Sequence, residues 1–342
     1  MNRPAAALSR IDAFEGVGFN AALVEELWRF GQEHCVRPLE AAMPSFMHYE
    51  SDELRACGGG AFPSFSITGA ACALNCAHCR AKILEPMIAA TDPETLDRMV
   101  RAMIARDGLR GFLLSGGSNR RNEVPFDRFL PTLQRLKADF PALQIAAHTG
   151  LVDERRAARL AAAGVDVAMM DVIGAADTIR DVYHLDRPVA DFAVSLAALC
   201  STSMKVVPHI VLGLHFGRLL GEVDALDIVA RHGIEALVLV VVMPHYAASG
   251  IFSPPDAHAV GAFFGHARRR LPETRILLGC ARPAGLYRRT IDAYAVLAGL
   301  DGIAFPSPGV ASLARALGRA VATDGACCAI GCRAKAKERV PA

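Results

Sequence analysis

The sequence predicts an α/β protein built as a (β/α)8 barrel of the TIM type, with an N-terminal helical extension and a C-terminal cysteine-rich tail. Three observations lead to this prediction. Eight short apolar runs alternate with amphipathic stretches from Phe65 onward, which is typical of parallel strands covered on both faces. The chain has 342 residues, enough for one barrel or two small domains. Its hydrophobic content of 52% against 21% charged residues supplies a sizeable core. The main alternative, an open doubly wound sheet, would not naturally use eight units of similar length.

The predicted strands are mostly unbroken apolar runs. They are 65–68, 112–115, 143–148, 165–171, 206–212, 236–243, 275–279 and 302–305. In a barrel of this kind, active residues lie on the loops that follow the strands.

Capping residues and glycines mark the helices between these strands. Thr91, with Glu94 three residues later, resembles a capping box before a helix that reaches about Arg106. Asp153 is placed to cap a helix at 154–163, which Gly164 would end. Further helices are predicted at 21–33, 189–200 and 311–322.

These elements divide the chain into three parts. An N-terminal helical extension covers 1–60, the barrel covers 61–310, and a C-terminal helix with a cysteine-bearing tail covers 311–342.

Charge and hydropathy exclude two classes of partner. The net charge is +2 and there is no basic stripe, so nothing indicates nucleic acid binding. The longest apolar run, 236–243, is far too short to cross a bilayer. The first ten residues lead into polar and acidic residues rather than an apolar signal core. We therefore expect a cytoplasmic protein without membrane contact.

Ten cysteines in such a chain require an explanation. A secreted disulfide scaffold would normally be shorter, richer in cysteine and preceded by an export signal. Cys35 and Cys200 lie in helical regions and are interpreted as small core residues. Most of the others lie beside a predicted strand end or in short clusters, which indicates metal ligation.

Three of them, Cys72, Cys76 and Cys79, follow the first predicted strand with the spacing Cys-x3-Cys-x2-Cys. One loop therefore carries three thiols able to reach three corners of a cubane. Soft thiolates favour iron–sulfur clusters or zinc, but structural zinc usually needs a second pair of ligands, and no second paired motif lies nearby. Three cysteines on a [4Fe–4S] cluster leave one iron open for catalysis.

In spacing and position, these residues resemble the signature of the radical S-adenosylmethionine (SAM) superfamily. The resemblance implies that one electron from the reduced cluster cleaves SAM into methionine and a 5′-deoxyadenosyl radical, which removes a hydrogen from an unactivated carbon. It also implies an electron donor such as ferredoxin or flavodoxin. His78 replaces the usual aromatic residue before the last cysteine, and its flat ring can pack beside adenine.

Two further sites resemble the SAM-binding positions of the superfamily. Ser115, Gly116 and Gly117 follow the second strand and resemble the glycine motif that contacts the amino group of SAM, although Ser118 replaces the usual acidic residue. Asp171 ends the fourth strand, where a polar side chain often holds the ribose hydroxyls. The alternative for Asp171 is a helix N-cap.

The later strands add weaker candidates. By the same resemblance, Gly213 would let adenine lie against the backbone and Met243 would supply an apolar wall. His148, His209 and His245 lie at or near strand ends, where they would face the substrate or serve a structural role.

A second group of cysteines suggests an auxiliary [4Fe–4S] cluster. Cys280 ends the seventh predicted strand, on the same face as the first cluster. Cys280, Cys328 and Cys332 are the preferred ligands, followed by Cys57 or Cys327. Adjacent Cys327 and Cys328 cannot easily both bind one cluster, and a buried thiol needs no function.

Whole-chain features narrow the resemblance to the biotin-synthase-like group. The segments 72–87, 114–119, 148–150 and 278–283 carry it, within a match covering roughly 55–332. Within the group, the chain most resembles a subunit of the two-protein, archaeal-type lipoyl synthases. This implies sulfur insertion into an octanoyl chain on a lysine of an acceptor protein or peptide, sulfur from the auxiliary cluster, and a second radical SAM subunit as partner.

The catalytic candidates are His148, His209 and Arg282. The Arg282 guanidinium is expected to pair with a cluster sulfide or a polar substrate group.

Other functions remain open at this point. Biotin synthase is less compatible, because it places sulfur-donating cysteines at the ends of strands that here end in Ser115, His148 and Leu212. Enzymes of hydrogenase maturation or amino-acid rearrangement are alternatives. So is a non-catalytic iron–sulfur carrier or zinc-bound scaffold.

Overall fold

A computed structural model describes residues 4–35, 37–44, 49, 51–54, 62–325 and 330 of the chain. All strands in these ranges join one parallel sheet. The strands are β1 (Leu39–Ala42), β2 (Ser64–Ser66), β3 (Ile88–Ala89), β4 (Gly111–Ser115), β5 (Gln144–His148), β6 (Val167–Asp171), β7 (Lys205–Leu212), β8 (Ala236–Val241), β9 (Arg275–Leu278), β10 (Gly302–Ala304) and β11 (Val321–Asp324).

The sheet curls into a partial barrel rather than the closed eight-stranded barrel that the sequence predicts. Its strand order is β11-β1-β10-β9-β8-β7-β6-β5-β4-β2-β3, so within the described residues β11 and β3 are the two edges. All eight predicted strands form, as β2 and β4 to β10. The α/β class and the parallel arrangement are therefore confirmed. The prediction of a closed barrel is corrected to a partial barrel with two open edges.

Three strands were not predicted. β1 lies in the segment expected to be a helical extension, and it pairs with β10 on one side and β11 on the other. The helix predicted at 311–322 is shorter than expected, and its last two residues belong to the strand β11 instead. That helix, α11, ends at Ala316, and Gly318 then turns the backbone with φ of 83°. Hydrogen bonding to β1 makes 321–324 a strand.

Helices connect most of the strands. They are α1 (Pro4–Leu8), α2 (Ala21–Gly31), α3 (Pro93–Asp107), α4 (Leu130–Asp139), α5 (Glu154–Ala162), α6 (Ala176–Asp181), α7 (Ala190–Cys200), α8 (Glu222–Val229), α9 (Ala257–Arg270), α10 (Leu286–Leu297) and α11 (Val310–Ala316). No helix in the described ranges is both long and apolar enough to span a bilayer.

The helix caps partly follow the prediction. Asp153 caps α5 by accepting a hydrogen bond from the Arg156 amide at 2.7 Å. For α3, the cap is Asp92 rather than Thr91, since the Asp92 carboxylate accepts from the Thr95 amide at 2.7 Å. Pro93 then occupies the first turn, where its missing N–H costs nothing.

The core forms two layers on either side of the sheet. The larger layer lies between the outer face of the sheet and the helices. The smaller one covers the inner face, where alternate strand residues such as Val167, Met169, Val207 and Val238 pack together. Ile330, from the C-terminal region, belongs to this inner cluster.

Four cysteines predicted to bind an auxiliary cluster lie outside the described residues. They are Cys57, Cys327, Cys328 and Cys332.

Candidate functional site

The loop after β2 carries Cys72, Cys76 and Cys79 at the carboxyl end of the sheet. Two backbone hydrogen bonds tie this cysteine loop (69–81) to its neighbours. The Ala73 amide donates to the Ser118 carbonyl at 2.9 Å, and the Ala77 amide donates to the Val182 carbonyl at 2.8 Å. The loop is thus fixed both to the segment after β4 and to the segment after α6.

The thiols are enclosed and interact with one another. Cys76 is buried, and Cys72 and Cys79 are half-buried. A hydrogen bond between the Cys76 and Cys79 sulfurs, with a further contribution from His78, lowers the pKa of Cys79. The same hydrogen bond, together with burial, raises the pKa of Cys76, because a second thiolate beside the first is unfavourable.

This donor set fits an iron–sulfur cluster better than a single metal ion. Among the described residues, no three His, Cys, Asp or Glu side chains are arranged to hold one ion. A cubane binds each thiolate at a different iron, so its ligands need not converge on one point. Cys72, Cys76 and Cys79 are not joined in disulfides, which leaves all three sulfurs as ligands.

Gly117 packs closely against the cysteine loop, and Gly116 packs against Ile67 and Thr68 just before it. A Cβ on Gly117 would lie 2.0 Å from the Ala71 carbonyl oxygen and 2.6 Å from Cys72 Cα. The Gly117 amide donates to Thr68 Oγ1 at 2.7 Å. Glycine is therefore required here by the protein's own packing, in addition to any contact with a ligand. Ser115, the last residue of β4, donates its hydroxyl to the His148 carbonyl at the end of β5, at 3.3 Å.

A buried aromatic residue links His78 to Asp171. The His78 ring stacks on the Tyr183 ring, with centroids 5.1 Å apart and 26° between the planes. The Tyr183 hydroxyl donates to Asp171 Oδ2 at 3.1 Å. Asp171 therefore does not cap a helix; α6 begins after Ala175 instead. His78 Nδ1 is buried without a hydrogen-bond partner, which suits a site that binds a polar ligand.

Two histidines extend this polar group along the inner face. His148 Nε2 lies 3.6 Å from Asp171 Oδ1, and the two side chains keep 30% and 28% exposure, so a ligand can reach both. The rings of His148 and His209 meet edge to face at 5.5 Å. His209 Nδ1 donates to the Val207 carbonyl at 3.1 Å, which leaves Nε2 as an acceptor when the ring is neutral.

The electrostatics of the group favour an ionised Asp171 and a neutral His209. Burial opposes ionisation of Asp171, but the hydrogen bond and charge of His148, with the neighbouring histidines, hold its pKa below the usual range. Burial, together with His148, lowers the pKa of His209 to about 4.

The loops after β7 and β8 carry the candidates Gly213, Met243 and His245. Gly213 has φ of 75°, but the space where a Cβ would project is filled by Pro255, 2.7 Å away. Its amide donates to Glu222 Oε1 at 2.9 Å. Met243 is half-buried directly after β8, and His245 is exposed.

Arg282 does not face a ligand. It is 2% exposed, and its guanidinium binds both carboxylate oxygens of Asp292, at 2.6 and 3.1 Å. It also donates to the carbonyls of Gly279 and Phe305, at 2.6 and 3.1 Å. These contacts correct the expectation that it pairs with a cluster or substrate.

Two further side chains, Arg288 and Tyr246, are influenced by the charge of Cys280. The Arg288 guanidinium bonds to the Phe305 carbonyl and is close enough to Cys280 to be influenced by its charge. Burial, together with the charges of Cys280 and Glu85, raises the pKa of Tyr246.

Sequence reasoning missed Tyr183, Glu222 and Arg288. Tyr183 follows a helix without any motif, and only the folded chain brings it to His78. Glu222 in the first turn of a helix is a common dipole-favoured acid, so its buried contact with Gly213 carries no specific signal.

Comparisons with known proteins identify part of the chain. Residues 66–217, from β2 to the loop after β7, match the model of the radical SAM superfamily. No curated protein sequence matches the chain.

Solved structures share the fold. Methylornithine synthase (PylB) is similar at a TM-score of 0.56 and 12% identity, over 93% of each chain. HydG, a maturase of the [FeFe]-hydrogenase, has a TM-score of 0.58 and 12% identity, over 88% of this chain and 68% of that one. HydG from Carboxydothermus hydrogenoformans has a TM-score of 0.53 and 16% identity, over 88% and 66%.

Proposed function

We propose that this protein, a radical SAM enzyme by its domain at residues 66–217, inserts sulfur into unactivated C–H bonds of an octanoyl chain carried on a lysine. Its cofactors are a [4Fe–4S] cluster and SAM. The proposed reaction is that of a lipoyl synthase subunit, with an octanoylated carrier protein or peptide as substrate. The observation that carries the proposal is a fourth cysteine, Cys280, which lies two residues after β9 at the same edge of the parallel sheet as the cysteine loop.

The chain's own residues would bind and orient SAM at this edge. The reduced cluster supplies the electron that cleaves SAM when both are bound. Cys72, Cys76 and Cys79 would hold the cluster, His78 would pack beside adenine, and Asp171 would accept hydrogen bonds from the ribose. The apolar inner face beneath them would keep water away from the reacting carbon.

An auxiliary [4Fe–4S] cluster would supply the sulfur. We propose Cys280, Cys328 and Cys332 as ligands, with Cys57 or Cys327 next. Support for the C-terminal ligands comes from Ile330, which lies between them in sequence and is buried in the inner cluster. Support for Cys280 comes from its place at the carboxyl end of β9, the edge of the sheet that also carries the cysteine loop.

We further propose two partners and a location. A second radical SAM subunit would act with this chain, and a ferredoxin or flavodoxin would deliver electrons. The protein would work in the cytoplasm.

One observation favours a second candidate, a radical enzyme acting on a small polar substrate. His148 and His209 extend the polar group at Asp171 along the inner face, and an octanoyl chain would offer these two imidazoles no polar partner. Amino-acid rearrangement and hydrogenase maturation belong to this class.

A reconstitution experiment tests the proposal. The protein is loaded anaerobically, iron and sulfide are counted, and dithionite, SAM and an octanoyl-lysine peptide are added, with and without the partner subunit. We expect about eight irons per chain, formation of 5′-deoxyadenosine and a peptide that gains sulfur. About four irons with SAM cleavage but no sulfur gain would reject sulfur insertion and favour the second candidate.

Two cysteine variants sharpen this test. Cys280→Ala should lose about four irons and sulfur transfer but retain SAM cleavage. Cys200→Ala, in α7 away from the carboxyl edge, is the matched control and should keep all irons. Equal iron in the two variants would show that Cys280 binds no cluster.

A further inference from the structure

Two consecutive residues after α6 contact both halves of the proposed SAM site. The Val182 carbonyl accepts the Ala77 amide of the cysteine loop at 2.8 Å. The Tyr183 ring stacks on His78 of the same loop, and its hydroxyl donates to Asp171 Oδ2 at the end of β6. One short segment therefore joins the cysteine loop to the strand end that carries Asp171.

The Tyr183 hydroxyl is more than a by-product of packing. Tyr183 is 4% exposed, and a phenylalanine would fill the same space without burying a polar group. Its acceptor is a carboxylate that stays 28% exposed toward the inner face. One side of Asp171 is thus held by the protein while the rest remains open to a ligand.

We propose that Tyr183 is a positioning residue for SAM: its ring fixes His78, and its hydroxyl fixes the Asp171 carboxylate. The cluster-side and ribose-side contacts are thereby held at a constant separation. Rotation of Asp171 is restricted before SAM arrives, so less freedom is lost on binding. This inference rests on the proposed function, because it assumes that Asp171 contacts SAM.

The test is a double-mutant cycle measured by SAM binding without turnover. The cluster-loaded, oxidised enzyme is titrated with SAM as wild type, Tyr183→Phe, Asp171→Ala and the double variant. Tyr183→Phe keeps the ring stack and should retain the iron but bind SAM about tenfold more weakly. If Tyr183 acts through Asp171, the double variant should bind no more weakly than Asp171→Ala alone.

A matched control and a second readout separate positioning from structure. Tyr294 is a buried tyrosine whose hydroxyl bonds to the Asn20 amide and His258, so Tyr294→Phe should leave SAM binding unchanged. Tyr183→Leu also removes the stack, and hydrogen–deuterium exchange of the cysteine loop should then be faster than in Tyr183→Phe.

The outcomes distinguish the inference from the proposed site. Wild-type affinity in Tyr183→Phe, with weakened binding in Asp171→Ala, would overturn the inference alone. So would additive losses in the double variant. Wild-type affinity in Asp171→Ala would reject Asp171 as a SAM contact and thus that part of the proposed site.

Discussion

Replacing Arg282 by alanine should lower the stability of the fold rather than selectively abolish the reaction of the enzyme. The side chain follows Cys280 by two residues, yet it lies in a closed network. Asp292 accepts two of its hydrogen bonds, and Gly279 and Phe305 accept one each. Both partners of the ion pair have 0% side-chain exposure. The substitution therefore removes the cation from a buried carboxylate and takes one donor each from two carbonyls, of which the Phe305 carbonyl keeps its bond to Arg288.

The size of the effect follows from that burial. Asp292 would keep only the Ser307 amide, at 2.8 Å, among the contacts that hold it in the described structure. Removing one partner of a buried ion pair typically costs about 3–5 kcal/mol. Since domains are stable by only about 5–15 kcal/mol, this is a large fraction of the total.

Denaturant unfolding of the metal-free protein measures the loss. We expect the free energy of unfolding to fall by about 3–5 kcal/mol in Arg282→Ala. The double variant Arg282→Met/Asp292→Leu should recover most of it, because no buried charge remains unpaired. Arg180→Ala is the control: Arg180 pairs with Asp177 and Asp181 at 64% exposure and should show no measurable change.

Activity of the double variant decides between structure and chemistry. A folded double variant that cleaves SAM and transfers sulfur normally would agree with a structural role. A double variant of wild-type stability that binds its full iron but transfers no sulfur would refute it, and Arg282 would return as a catalytic residue.

Two further predictions concern the cysteine loop and the inner face. Gly117→Ala should lower iron retention at Cys72, since its Cβ would lie 2.0 Å from the Ala71 oxygen; Gly233→Ala, with no atom within 4 Å, should retain all iron. For His209, a folded pKa of about 4 lies below the unfolded value of about 6.5. The unfolded chain therefore binds more protons between these values, and stability falls as pH drops through this window. After discounting for access of water to the inner face, we expect a loss of about 1–2 kcal/mol between pH 7 and 5. His209→Gln should flatten this dependence in urea unfolding, and an unchanged slope would contradict the assignment.

Much of the sheet was predictable because its strands carry their own signal. The runs that became β4 to β9 are rich in aliphatic residues, as expected of strands buried on both faces. β1 and β11 lack this signal. All four residues of β1, which are a leucine, a glutamate and two alanines, are strong helix formers. Pairing with β10 makes this segment a strand, and that contact spans more than 250 residues of sequence.

The site divides in the same way. Cys72, Cys76 and Cys79 were predictable because they are close in sequence and their spacing reflects one local loop. Tyr183 and Arg288 were not, because their partners come from other loops. Arg282 was assigned a chemical role from its proximity to Cys280 in sequence, whereas the fold turns its side chain toward Asp292 in α10.

Strand register explains how one sheet supplies both a core and a polar site. Along β6, the inner face shows Val167, Met169 and then Asp171, so it changes from apolar to polar only at the carboxyl end. β5 and β7 change in the same way, toward His148 and His209, and Asp171 pairs directly with His209. A shift of one residue in β6 would turn Asp171 toward the helices and bring Met170 onto the inner face. The alternation within each strand can be seen in the sequence, but the alignment of β5, β6 and β7 arises only in the folded sheet. That alignment brings the Asp171 carboxylate and the imidazoles of His148 and His209 together.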